Sequence, residues 1–81
     1  MPRYNFNVEN GDGDRHEGVT DLPTLAEAKC EAVRYAGRLI CDQASEFWDT
    51  GDFLMIVSDE NGLTLFTLRF SATEAPAIST R

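Results

Sequence analysis

Phe53-Leu54-Met55-Ile56-Val57-Ser58-Asp59-Glu60-Asn61-Gly62-Leu63-Thr64-Leu65-Phe66-Thr67-Leu68-Arg69-Phe70 reads as two β-rich runs around Asn61-Gly62. An Asn-Gly pair between apolar runs is the strongest short-range hairpin signal a sequence carries. Two registers compete. A two-residue turn pairs Val57 with Phe66, Met55 with Leu68 and Phe53 with Phe70, gathering the aromatics on one face. Ser58–Leu65, Ile56–Thr67 and Leu54–Arg69 then share the other. A three-residue loop with Gly62 left-handed shifts the pairing by one, setting Ile56 against Phe66, Leu54 against Leu68 and Phe53 against Arg69. The first register is preferred because it collects the larger apolar area on one side. In both, the second face keeps several apolar residues and is therefore not a clean solvent face.

Upstream of the hairpin lies a helical pattern. Thr24 with Glu27 three residues on forms a capping-box signal, and Pro23 blocks helix before it. The pattern runs to Ser45 or Glu46, about 33 Å at the helical rise. Leu25, Ala28, Ala32, Tyr35, Ala36 and Leu39 make the main apolar stripe. Glu27, Glu31, Arg34, Arg38 and Asp42 make a charged face, with Glu31–Arg34 and Arg38–Asp42 at pairing distance. A third arc, Ala26, Cys30, Val33, Gly37, Ile40 and Ala44, is small or apolar throughout. One helix on one sheet needs a single stripe. A second suggests another backbone approaching closely, which would account for Gly37 despite its helix cost of about 1 kcal/mol.

Before the helix, Tyr4, Phe6 and Val8 alternate with Arg3, Asn5, Asn7 and Glu9, the pattern of a half-buried strand. Residues 10–17 read as a polar loop, after which Val19 could pair back on the first strand. Phe47 and Trp48 are expected to plug one end of the core. The fold class is therefore α+β. Three or four antiparallel strands carry one long helix on one face, in the order strand, short strand, helix, strand, strand. The expected core is Tyr4, Phe6, Val8, Leu25, Ala28, Ala32, Leu39, Phe53, Met55, Val57, Phe66, Leu68 and Phe70.

With 81 residues the chain holds one domain, 1–70, followed by a disordered tail, 71–81. A chain this short buries only about 60 % of its unfolded surface, so its stability is expected to be marginal. Seven Lys and Arg stand against fourteen Asp and Glu, a net charge of −7. Nucleic-acid binding is disfavoured, because phosphate neutralisation by a basic face supplies most of its affinity. There is no apolar run of membrane-spanning length and no signal-peptide pattern, so the expected compartment is the cytoplasm. Cys30 and Cys41 lie about 16 Å apart along one helix, too far for a disulfide, and read as reduced thiols.

Met1-Pro2-Arg3-Tyr4-Asn5-Phe6, Gly18-Val19-Thr20-Asp21-Leu22-Pro23 and Phe66-Thr67-Leu68-Arg69-Phe70-Ser71 resemble a family of small, mostly alphaproteobacterial proteins catalogued as domain of unknown function 6894. The resemblance covers nearly the whole chain apart from the tail. It implies a bacterial cytoplasmic protein and transfers no catalytic residues. Asn5 stands where the family more usually has an aromatic, which implies a less buried first strand. The strand-then-helix start is also similar to Hic-type antitoxins, an analogy of fold alone.

Few residue groups suggest chemistry. Asn10, Asp12, Asp14 and Asp21 are weak cation candidates. Hard cations favour clustered oxygens, but Arg15 replaces the turn glycine of a calcium loop and Asp21 its bidentate Glu. His16, the lone histidine, reads as a surface residue. There is no Cys-x-x-Cys spacing, no phosphate loop, and no convergent nucleophile and base. The alternation Phe66-Thr67-Leu68-Arg69-Phe70 echoes a nucleic-acid stacking platform with a single cation.

The expectation is a non-enzymatic interaction module without cofactor, whose partner is another protein or a second copy in a homodimer. Its expected face is Ala26, Cys30, Val33, Gly37, Ile40 and Ala44 with Leu54, Ile56 and Leu65. The alternatives are an acidic regulator binding a basic partner or a divalent cation through loop 10–17, and nucleic-acid binding through the sheet.

Overall fold

The computed structural model describes residues 2–10 and 15–76, without the side chains of 10 and 15–17. Strands β1 (Arg3–Asn10) and β2 (Arg15–Asp21) form a first hairpin. Helices α1 (Leu25–Asp42) and α2 (Ala44–Thr50) follow, then strands β3 (Asp52–Asp59) and β4 (Thr64–Ser71). The sheet is antiparallel with order β2-β1-β3-β4. β1 and β3 are central, and both hairpins end on the outside. The second strand, expected to be short, reaches back to Arg15, so residues 15–17 belong to the sheet and not to a loop.

Helix α1 starts where the capping residues place it. The Glu27 amide donates to Thr24 Oγ1 at 3.2 Å and the Ala28 amide to the Thr24 carbonyl at 3.1 Å. The helix does not run on to Glu46 as one piece. It stops at Gln43, whose backbone leaves the helical region at φ −119° and ψ 40° while its amide still donates to the Leu39 carbonyl, and α2 starts at Ala44. Length explains the break. Eighteen residues of helix span about 27 Å, close to the roughly 26 Å of an eight-residue strand. A straight continuation would overrun the sheet, whereas the turn lets Phe47 fold back onto the core. Its neighbour Trp48 is 57 % exposed and does not plug the core as expected. Gly51, left-handed at φ 70°, closes α2, its amide donating to the Phe47 carbonyl.

The core lies between α1 and one face of the sheet. Tyr4, Phe6 and Val8 of β1 and Phe53, Met55 and Val57 of β3 are buried, against Ala28, Ala32 and Ala36 of the helix. These alanines let α1 sit close to the strands. They are four residues apart, so contact follows an i, i+4 ridge, inclined by about 26° to the helix axis. That inclination explains two departures from the expected core. Continued forward, the ridge recruits Ile40, a member of the third arc, which packs on the core. Continued backward it reaches position 24, not 25, and Leu25 is 43 % exposed. Asn5 does not loosen β1. It lies on the opposite face, where its Nδ2 donates to the Asp59 carbonyl at 3.1 Å, while its neighbours Tyr4 and Phe6 are buried.

The second hairpin resolves its two registers by using both. Phe53 pairs with Phe70, Met55 with Leu68 and Val57 with Phe66, as the aromatic face requires. The turn, however, is the three-residue form. Asp59 and Leu63 are joined by a 2.9 Å backbone bond, the Gly62 amide donates to the Asp59 carbonyl, and Gly62 is left-handed at φ 86°. The Asp59 carboxylate accepts the amides of Asn61 and Leu63 at 2.9 Å each, an Asx-type closure. This turn shifts the strands by one residue. A bulge between Val57 and Ser58 shifts them back, so that Ser58 faces Thr64 and not Leu65. Leu65 is the extra residue. β4 also extends past Phe70, because Ser71 pairs with Asp52 and the Ala72 amide donates to the Gly51 carbonyl at 3.0 Å. Of the expected disordered tail, residues 77–81 lie outside the described residues.

Candidate interaction surfaces

The residues expected to form one interaction face are distributed over three places. Ala26, Cys30, Val33 and Gly37 are exposed on the outer side of α1, and Ala44 is exposed at the start of α2. Val33 is 54 % exposed. Leu54 and Ile56 are half-buried on the face of β3 that no helix covers, with the sheet and α1 between them and the helix arc. Ile40 and Leu65 pack against the core. The nine residues are therefore not one surface: the helix arc and the open sheet face look in opposite directions. Periodicity sets Ala26, Cys30, Val33 and Gly37 apart from the buried stripe of α1, but not Ile40, and not Leu65 in β4. It carried no information on which side of the sheet the helix would lie.

The outer helix face has one checkable energetic consequence. A methyl group added at Gly37 meets no atom within 4 Å. Gly37→Ala is expected to stabilise the monomer by about 1 kcal/mol through helix propensity alone. Urea unfolding in dilute solution measures this, and a loss of stability there would mean that the site is crowded. Cys30 and Cys41 are both free and exposed.

The open sheet face mixes polar and apolar residues along its rows. Row by row, Val19 stands beside Asn5 and Ser58, while Asn7 stands beside Ile56 and Thr67. At the margin Arg3 Nε meets Asp21 Oδ1 at 3.3 Å. Asp21, one of the four cation candidates, is thus already held by a cation of the chain. Asp12 and Asp14 lie outside the described residues, as does the Asn10 side chain. Among the described residues no three His, Cys, Asp or Glu side chains cluster to hold a metal ion.

A cleft of about 180 Å³ lies between β2 and α1. Phe6 and Gly18 line it, with the Tyr35 ring packed edge-on to Phe6 at 6.2 Å. At its helix side Arg38 Nη2 is 3.7 Å from Glu31 Oε1, two turns away. This pair replaces the shorter-range Glu31–Arg34 and Arg38–Asp42 pairs read from the sequence. The Arg38 side chain is 68 % exposed, and a salt bridge so solvated contributes about 1 kcal/mol or less.

The third surface is the outer side of β4. Phe53, Met55 and Val57 on β3 are at most 4 % exposed, but their partners Phe70, Leu68 and Phe66 on β4 are only half-buried. The core is closed over β3 and left open along β4. All six residues carry the same alternation in the sequence, and what separates them is strand order. Nothing local in a strand says whether it will be central or at an edge.

These features define a small α+β domain, a four-stranded antiparallel sheet with a long helix across one face. The family described as Domain of unknown function (DUF6894) matches residues 3–71, and the chain belongs to it. No curated protein and no solved structure matches the chain. Among the described residues, no helix is long and apolar enough to cross a membrane.

Proposed function

We propose that this chain is a non-enzymatic interaction module of the bacterial cytoplasm that acts by self-association. One observation carries the reading: the half-buried row Phe66, Leu68 and Phe70, which belongs to the core yet stays in contact with water. Finishing the burial of such side chains is favourable at about 25 cal/mol per Å² of apolar surface. A contiguous apolar row at the rim of a core is a surface suited to a partner. The exposed Val33 and the half-buried Leu54 and Ile56 offer further apolar area on the other two sides.

Sedimentation equilibrium of the reduced protein over a wide concentration range tests the proposal. The expected result is a monomer mass at low concentration that rises to a dimer. A monomer mass throughout would overturn it.

A further inference from the structure

We infer that β4 pairs antiparallel with β4 of a second copy about a two-fold axis at Leu68, joining two sheets into one of eight strands. The inference rests on the self-association reading and specifies its surface. Three observations lead to it.

The first is hydrogen-bond parity. The Ala72 amide donates to the Gly51 carbonyl, and the register continues in steps of two through Phe53–Phe70, Met55–Leu68 and Val57–Phe66. In an antiparallel ladder, those residues direct their N–H and C=O groups at the neighbouring strand and the alternate residues direct theirs away. The backbone groups of Thr67, Arg69 and Ser71 therefore point outward from the sheet. They form an edge ready to accept another strand.

The second is charge. The opposite edge, β2, has the same construction, since the Leu22 amide donates to the Pro2 carbonyl and so turns residues 15, 17, 19 and 21 outward. Three of those four are charged: Arg15, Glu17 and Asp21. Charges on an edge strand are the usual guard against strand addition. β4 carries Arg69 alone and no acid from Thr64 to Ser71, in a chain of net charge −7. Two copies that repel each other over most of their surface meet least opposition there.

The third is self-complementarity, which selects a second copy over an unrelated strand. A two-fold interface places the same residues on both sides. An axis at Arg69 would set the two guanidinium groups directly opposite. An axis at Thr67 would set Phe70 against Thr64, at the bulged end. An axis at Leu68 sets Leu68 against Leu68 of the second copy, Phe66 against Phe70, and Arg69 against Thr67. The apolar pairs then occupy non-hydrogen-bonded positions, where facing side chains are closest. Antiparallel pairing of identical strands also keeps both helices on one side of the joint sheet. The two open cores thus meet along their half-buried rows.

Thr67→Pro tests the inference. The Thr67 N–H points away from β3, so the substitution removes no ladder bond of the monomer, and proline is tolerated on an edge strand. By symmetry it removes two bonds across the interface. The expected result is a retained circular dichroism spectrum with association weakened by about tenfold or more. Amide hydrogen exchange on the unmodified protein gives a second reading that does not depend on the variant folding. At dimer-forming concentration the Thr67 and Arg69 amides are expected to be protected, and to lose protection on dilution. A dimer in which these amides exchange freely, or that survives Thr67→Pro unchanged, overturns the edge pairing while leaving self-association standing. A wild-type chain that never dimerises overturns both.

Discussion

Phe6→Ala is expected to cost about 3–5 kcal/mol, the range for removing a fully buried phenylalanine. Phe6 is 2 % exposed on the central strand β1. It faces Val57 across the β1–β3 ladder and meets the Tyr35 ring edge-on at 6.2 Å. The alanine variant loses the transfer energy of the ring and its edge contact, and leaves a cavity against a helix that cannot settle further. For a domain this small, whose whole stability lies near the low end of about 5–15 kcal/mol, such a loss brings the chain close to half-unfolded at room temperature. Urea unfolding should show the midpoint collapsing toward zero denaturant. Leu25→Ala, at a side chain 43 % exposed, is the control and should cost less than about 1 kcal/mol. Equal losses at the two sites would contradict the packing described here.

Ala32→Leu should fail for the opposite reason. Ala28, Ala32 and Ala36 are fully buried along the ridge by which α1 contacts the sheet. Adding a branched side chain at the middle position forces the helix off the strands or the new side chain out of its rotamer, at about 1–3 kcal/mol. Leucine has a high helix propensity, so the local term nearly vanishes and the loss reports packing alone. The same change at exposed Ala26 should stay within about 0.5 kcal/mol. If Ala32→Leu matched Ala26→Leu, the helix would not lie on the sheet through its alanine ridge.

What could be read in advance follows the range of the forces involved. Thr24, Pro23 and Glu27 fix the start of α1 locally, and the structure places the cap there. Alternation in β1 and β3 assigns Tyr4, Phe6, Val8, Phe53, Met55 and Val57 to the core face, since side-chain direction in a strand depends only on parity. The break at Gln43 was not legible, because no glycine or proline marks it. It follows from the length of the sheet, which is a property of the other elements. Leu25 and Ile40 exchanged roles for a similar reason: a helical wheel fixes the face but not the crossing angle. The candidate surfaces were legible in part. The exposure of Ala26, Cys30, Val33 and Gly37 agrees with their place off the main apolar stripe, whereas Ile40 of the same arc is drawn into the core. The opening of the core along β4 depends on strand order, which no single strand encodes.

The bulge at Leu65 separates two design problems that a hairpin ordinarily has to solve together. The tip from Asp59 to Leu63 settles its own carboxylate and left-handed glycine without regard to the aromatic rows. The rows keep their phase because one slack residue lies between them and the tip. A change of loop length by one residue would then be taken up at Leu65, as an expansion joint takes up the lengthening of a span. Such a hairpin can change the length of its end while its buried face stays in step.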